Sequence, residues 1–221
     1  MLNAKSRYEQ ERSSIKSMRE ESIMEAAKKL FVRKGFDKTT MQEIADEVPL
    51  GIATVFRYYP KKEKLIIAVA SAIISSQSEA FHSVTEMNGT CMDKLRALFD
   101  LFISFHQEEH RENIQLIEAF ESWASLSHEQ VDMLEEYHSI FESNKQLFKT
   151  IIEQDSHDGS IRNDISVDDT LMTMINVFGS FAKKVSMSYN LVIFKETTET
   201  TDQLHVLKNV FLDYLKPPGK E

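Results

Sequence analysis

The chain has 221 residues, a formal net charge of −9, 42% hydrophobic content and one cysteine, Cys91. That is enough apolar material for one small and one medium domain, and a lone cysteine excludes an internal disulfide and fits a reducing compartment. The sequence opens on no apolar leader and has no run of about 18 apolar residues, so no membrane partner and a cytoplasmic location are expected. Four prolines and six glycines are few for this length and favour an all-α fold of long helices. Charge is unevenly placed: residues 1–66 carry a net +4 and the remainder −13, a modestly basic end on an acidic body, which suits a partner with phosphates met by one face only.

Residues 1–18 are polar, with Lys5, Arg7, Arg12 and Lys16, and read either as a frayed or disordered extension or as a basic arm toward DNA. Residues 19–31 read as an amphipathic helix whose stripe is Ile23, Ala26, Ala27, Leu30 and Phe31, stopped by Gly35. Thr40 and Glu43 form a T-x-x-E capping box for a second helix with Ile44, Ala45 and Val48 on its inner face. The break Pro49-Leu50-Gly51 leads into a third short helix, Ile52 to Tyr59, followed by lysines. Two short helices joined by a tight turn, the second rich in Thr, Arg and Tyr, suit insertion into a DNA groove. On that reading Thr54, Tyr58 and Lys62 meet phosphate, Ile52, Ala53 and Arg57 face the groove, with Arg57 donating to guanine or to phosphate, and Thr40 and Gln42 complete the DNA-binding set.

Residues 19–65 resemble the amino-terminal domain of TetR-family transcriptional repressors. Arg19, Ile23, Ala26, Ala27, Leu30, Phe31, Gly35, Phe36, Thr39, Thr40, Ile44, Ala45, Thr54, Val55, Lys62, Glu63 and Leu65 stand at the family's places. Three residues depart from it: Pro49 replaces the usual turn glycine, Phe56 stands where many members have Tyr, and Tyr59 where Phe is usual. The resemblance implies a three-helix DNA-binding domain over 19–66, after the 1–18 extension. A larger helical domain over 67–221 then binds an effector and dimerises.

Beyond Lys62 the sequence reads as helices over about 62–84, 90–106, 112–126, 127–154, 166–189 and 200–216. Their starts are T-x-x-D at Thr90, S-x-x-Q at Ser127, S-x-x-D at Ser166 and T-x-x-Q at Thr200; 191–194 is ambiguous between helix tail and extended segment. The domain boundary is placed inside the helix that starts near Lys62, which makes that helix the lever between domains. The large apolar residues of this half read first as ordinary core. The family adds a pocket, for which Phe102, Phe120, Trp123, Tyr137 and Phe178 are the candidates, with a small apolar or amphipathic ligand. Gly179, Ala182 and Ser186 form a small-residue stripe bordered by Ile175; with Leu207 and Phe211 they predict a four-helix interface in a homodimer.

An alternative within the same fold is response to a protein partner or a metal. A remote alternative is a zinc-dependent hydrolase, because His106, Glu109 and His110 match H-x-x-E-H. That match lies in a charged stretch where a helix ends. No Gly-x-Ser-x-Gly, phosphate-cradling loop or Cys pair accompanies it. The expected partners are therefore double-stranded operator DNA, a small effector and a second copy of the chain, with no enzyme activity, cofactor or metal.

Overall fold

The computed structural model describes residues 4–105, 107, 110–126, 134–189 and 200–219, and among these it contains helices and no strand. The helices are α1 Ala4–Lys38, α2 Met41–Glu47, α3 Ile52–Tyr58, α4 Lys62–Glu86, α5 Cys91–Phe105, α6 Arg111–Leu126, α7 Glu135–Asp155, α8 Val167–Tyr189 and α9 Thr200–Leu215. A short 3-10 turn, Ser156–Asp158, follows α7. The predicted cap at Ser127 and Gln130 and the ambiguous 191–194 lie outside the described residues. The chain divides into two compact units, residues 1–72 with 119–135, and residues 73–118 with 136–221.

In the first unit Ile23, Ala27, Leu30 and Phe31 are buried along one side of α1. The helix is interrupted at Gly35, whose φ of 79° is left-handed and whose Cβ-free backbone tolerates it. α1 also continues back to Ala4, and its residues 7–19 are all exposed; its Glu, Lys, Arg, Gln and Met content favours helix without a packed face. Thr40 caps α2 as expected: its hydroxyl accepts from the Glu43 amide, and the Glu43 carboxylate accepts from the Thr40 amide at 2.9 Å.

In the second unit Phe81 from α4, Leu95 and Phe99 from α5, Ile151 and Ile152 from α7, Phe178 from α8 and Leu204 from α9 belong to one core. Capping at Thr90 and Asp93 is as the sequence predicts. The loop after α7 completes the start of α5: Asp158 accepts from the Cys91 amide at 2.7 Å and Ser160 from the Met92 amide at 3.1 Å. Arg162 ties the same loop to the end of α9 through its amide and the Leu215 carbonyl at 2.8 Å. α4 is long and apolar enough to cross a membrane by length and composition alone, but Leu65, Ile66, Ile67, Val69, Ala70, Ile73 and Ile74 are buried in protein.

Candidate nucleic-acid interface

α3 is held by a single fully buried side chain, Val55, and packs against α2, whose Ile44 and Ala45 are buried. Everything else on this seven-residue helix is exposed or half-exposed. Ala53, Phe56 and Arg57, at i, i+3 and i+4, form its outward side, and Ile52, Thr54 and Tyr58 sit at the margin. The Arg57 guanidinium lies over the Tyr58 ring at 5.7 Å, a cation–π contact that pre-orders the arginine at little entropic cost. Thr40 and Gln42 are exposed on the neighbouring helix. Thr40 is engaged in its capping box, and Gln42 donates to Asp46 at 2.8 Å. Thr40, Gln42, Ile52, Ala53, Thr54, Arg57 and Tyr58 are thus brought onto one unit.

Lys62 has an occupation that its place in the sequence did not announce. Its ammonium donates to the carbonyls of Phe36 at 2.8 Å, Thr39 at 3.0 Å and Asp37 at 3.4 Å, collecting the carbonyls of the α1–α2 connection. Lys34 reinforces the same junction by pairing with Glu43, and Arg33 pairs with Glu47 at 3.7 Å. Lys34 and the Thr40 cap hold the Glu43 carboxyl down at about 2, so it is ionised throughout the neutral range. Sequence offered no local cue to these contacts, because the partners of Lys62 lie 23 to 26 residues upstream. Lys62→Met keeps the aliphatic stem and leaves these carbonyls without their charged donor. We expect a loss of about 1–3 kcal/mol in urea unfolding; unchanged stability would free Lys62 for a phosphate.

The five pocket candidates divide between the units. Phe102 and Phe178 lie together in the second, with ring centroids 5.8 Å apart and Phe148 5.6 Å from Phe102. Tyr137 is buried in that unit as well. Phe120 and Trp123 belong to the first unit, 5.9 Å apart, and Trp123 meets the edge of Phe36 at 6.4 Å.

Of the interface candidates, Ile175, Leu207 and Phe211 are half-buried and pack on their own subunit's core, Phe211 stacking on Phe99 at 5.8 Å. Gly179 is exposed, and a Cβ there meets nothing within 4 Å inside one subunit. The side chains of Ala182 and Ser186 lie outside the description, as do His106 and Glu109; His110 rests against Phe105 at 6.1 Å. Val210, which the sequence also offers for that interface, is exposed in a stripe whose other members the sequence reading passed over: Val206 and Tyr214 on α9, at i and i+8 with Val210 at i+4, and Val177 on α8.

Residues 23–69, the span from the buried stripe of α1 to the first turns of α4, match the family model of bacterial regulatory proteins of the tetR family. The chain carries the amino-terminal domain of a TetR-family transcriptional regulator. It is 23% identical over 150 residues to the HTH-type transcriptional repressor KstR2 of Mycolicibacterium smegmatis, covering 68% of this chain and 71% of that protein. Its fold is that of a transcriptional regulator from Saccharomonospora viridis solved in complex with choline (TM-score 0.70, 14% identity, 90% of this chain and 97% of that one). It also matches FadR from Bacillus subtilis solved in complex with stearoyl-CoA (TM-score 0.65, 13% identity, 88% and 98%).

Against the TetR-family pattern, Pro49 proves compatible with the turn between α2 and α3. Val48 is extended, as the residue before proline should be, and the Leu50 amide closes a three-residue turn on the Val48 carbonyl at 2.7 Å. Gly51 then caps α3 with φ −66° and ψ 146°, so this TetR-family turn uses no left-handed residue. Phe56, where the family favours tyrosine, is exposed and presents an apolar ring instead of a hydroxyl.

Proposed function

We propose that this TetR-family regulator is a repressor that binds a palindromic operator as a homodimer and is released by a small apolar or amphipathic ligand. The observation that carries the reading is the family match over a helix whose one fully buried side chain is Val55, leaving the rest of α3 for a groove. Arg57, Ala53 and Ile52 read base edges and thymine methyls, while Thr54, Tyr58 and Thr40 hold phosphate. Residues 19–66 act as the reading domain and 67–221 as the effector and dimer domain, in the cytoplasm. No catalytic step is assigned to it.

The dimer forms through α8 and α9, on the face carrying Val177, Gly179, Val206, Val210 and Tyr214. Exposed apolar residues at successive turns of α9 support it, since a monomer has no use for such a stripe. The effector site is built around Phe102 and Phe178. Relatives in fold bound to stearoyl-CoA and to choline support a ligand of amphipathic character, because both pair a charged part with methyl or methylene groups. α4 and α6 each run from one unit into the other along the chain, so ligand binding can be coupled to the reading heads through them. The ligand must favour the state that cannot bind DNA, since equal affinity for both states shifts nothing.

Stearoyl-CoA and choline are the first probes. A true effector at a hundredfold excess over its Kd stabilises by about 2.7 kcal/mol, which raises the melting temperature of a chain this size by roughly 5–10 °C. It should also release the protein from DNA at the same concentration. Melting raised without release would make the compound a ligand but not an inducer.

A further inference from the structure

The family model matches from Ile23 and the family's sequence pattern reaches back to Arg19, whereas α1 begins at Ala4, so the first four turns of this helix lie outside the family signature, with Arg19 at their junction with it. Residues 7–19 are all exposed. At 1.5 Å per residue it reaches roughly 24 Å from Ile23 back to Arg7. Such a projecting helix has no tertiary packing to stabilise it, which is the usual source of helix stability in proteins.

Three of its basic residues share one helical phase. Arg12, Lys16 and Arg19 stand at i, i+4 and i+7, and the next steps of that register are Ile23, Ala27 and Leu30, the buried stripe of α1. The basic ridge therefore continues the side of α1 on which the domain is built, the side that packs with α2, which in turn carries α3. Glu21 falls on the opposite side together with Arg7, and Glu11 on a flank. Glu9 and Glu20 border the ridge, and Glu20 pairs with Lys16 at 3.7 Å in an exposed i,i+4 contact of the weak kind.

We propose that this extension is a second, sequence-independent DNA contact, with Arg12, Lys16 and Arg19 lying along phosphates that flank the half-site read by α3. The proposal rests on the DNA-reading role of α3 and lengthens its footprint without adding base specificity. Charge complementarity selects the duplex as partner: a straight basic ridge meets a regular row of phosphates, and each neutralised phosphate releases counterions.

The test is the salt dependence of binding to a 40-base-pair duplex, read by fluorescence anisotropy. Arg12→Ala, Lys16→Ala and Arg19→Ala together keep good helix formers at exposed positions, so circular dichroism should be unchanged. The slope of log K against log salt should become shallower by about 2–3 units per protomer, at roughly 0.9 per phosphate. A second variant moves the three charges to the far side of the helix, adding Ser14→Arg, Ser17→Lys and Met18→Lys to the triple change. It should keep the shallow slope, and a slope restored to wild type would overturn the ridge in favour of net charge alone. A triple variant with the wild-type slope overturns the proposal while leaving α3 as the reader. If that variant also loses dimer mass in sedimentation, the ridge is a contact between copies of the chain instead, and the proposal falls. A wild-type protein that binds no duplex at any salt removes both this proposal and the reading it rests on.

Discussion

Replacing Val206 and Val210 with glutamate will leave the subunit folded, split the dimer and reduce operator affinity by roughly two to four orders of magnitude. Both valines are more than half exposed, at 63% and 58%, so within one subunit the changes are surface changes of about 0.5 kcal/mol or less. In the proposed dimer the same positions are the centre of the apolar stripe with Tyr214, where burying two carboxylates per subunit is costly. DNA affinity then falls because a second reading head on the same molecule binds at a high effective concentration, and a monomer has no second head. Sedimentation velocity and an operator titration read both effects. A full-mass dimer from the double variant would move the interface off this face of α9. Gly179→Leu is its companion: one subunit has open space for the new side chain, so any loss of association belongs to the interface.

Phe36→Ala should be the most destabilising single change in the reading unit, costing about 3–5 kcal/mol. Phe36 is 8% exposed and makes edge contacts with Phe31 at 5.0 Å and Trp123 at 6.4 Å. Its backbone carbonyl is also one of the three that Lys62 holds. Trp123 is the chain's one tryptophan, so its emission should shift to the red when the neighbouring ring is removed. Urea unfolding of the variant with unaltered emission would mean that Trp123 does not rest on Phe36. The same contact makes Trp123 a reporter of the reading unit.

The parts that were legible in the sequence are those with local causes. Thr40 with Glu43, and Thr90 with Asp93, lie three residues apart and cap helices where the spacing says they should. The stripe of Ile23, Ala27 and Leu30 repeats at helical period, and Gly35 interrupts α1 because only its backbone takes φ 79° without strain. Contacts between residues distant in sequence had no such signal. The Asp158 carboxylate finishes α5 from 67 residues away, and Lys62 reaches back 26. α9 misleads in a different way: it is apolar on two sides. Leu204, Leu212 and Leu215 fill the core, Phe211 stacks on Phe99 in the same subunit, and Val206, Val210 and Tyr214 point out. A periodicity that fits both sides cannot say which one meets a partner. For the 1–18 segment, polarity fits a solvated helix as well as a tail, and the described part from Ala4 onward is helical.

The central claim is that a dimer of this chain reads a two-fold symmetric DNA site through α3. Repeated selection of bound duplexes from a random-sequence pool by the purified full chain tests it most directly. The account predicts enrichment of a palindrome whose half-sites are about one helical turn apart or somewhat more, with Arg57→Ala relaxing preference within each half-site at a cost of about 1–3 kcal/mol. A pool that stays random after selection, or a preference that Arg57→Ala leaves intact along with one for a single unrepeated site, would contradict it.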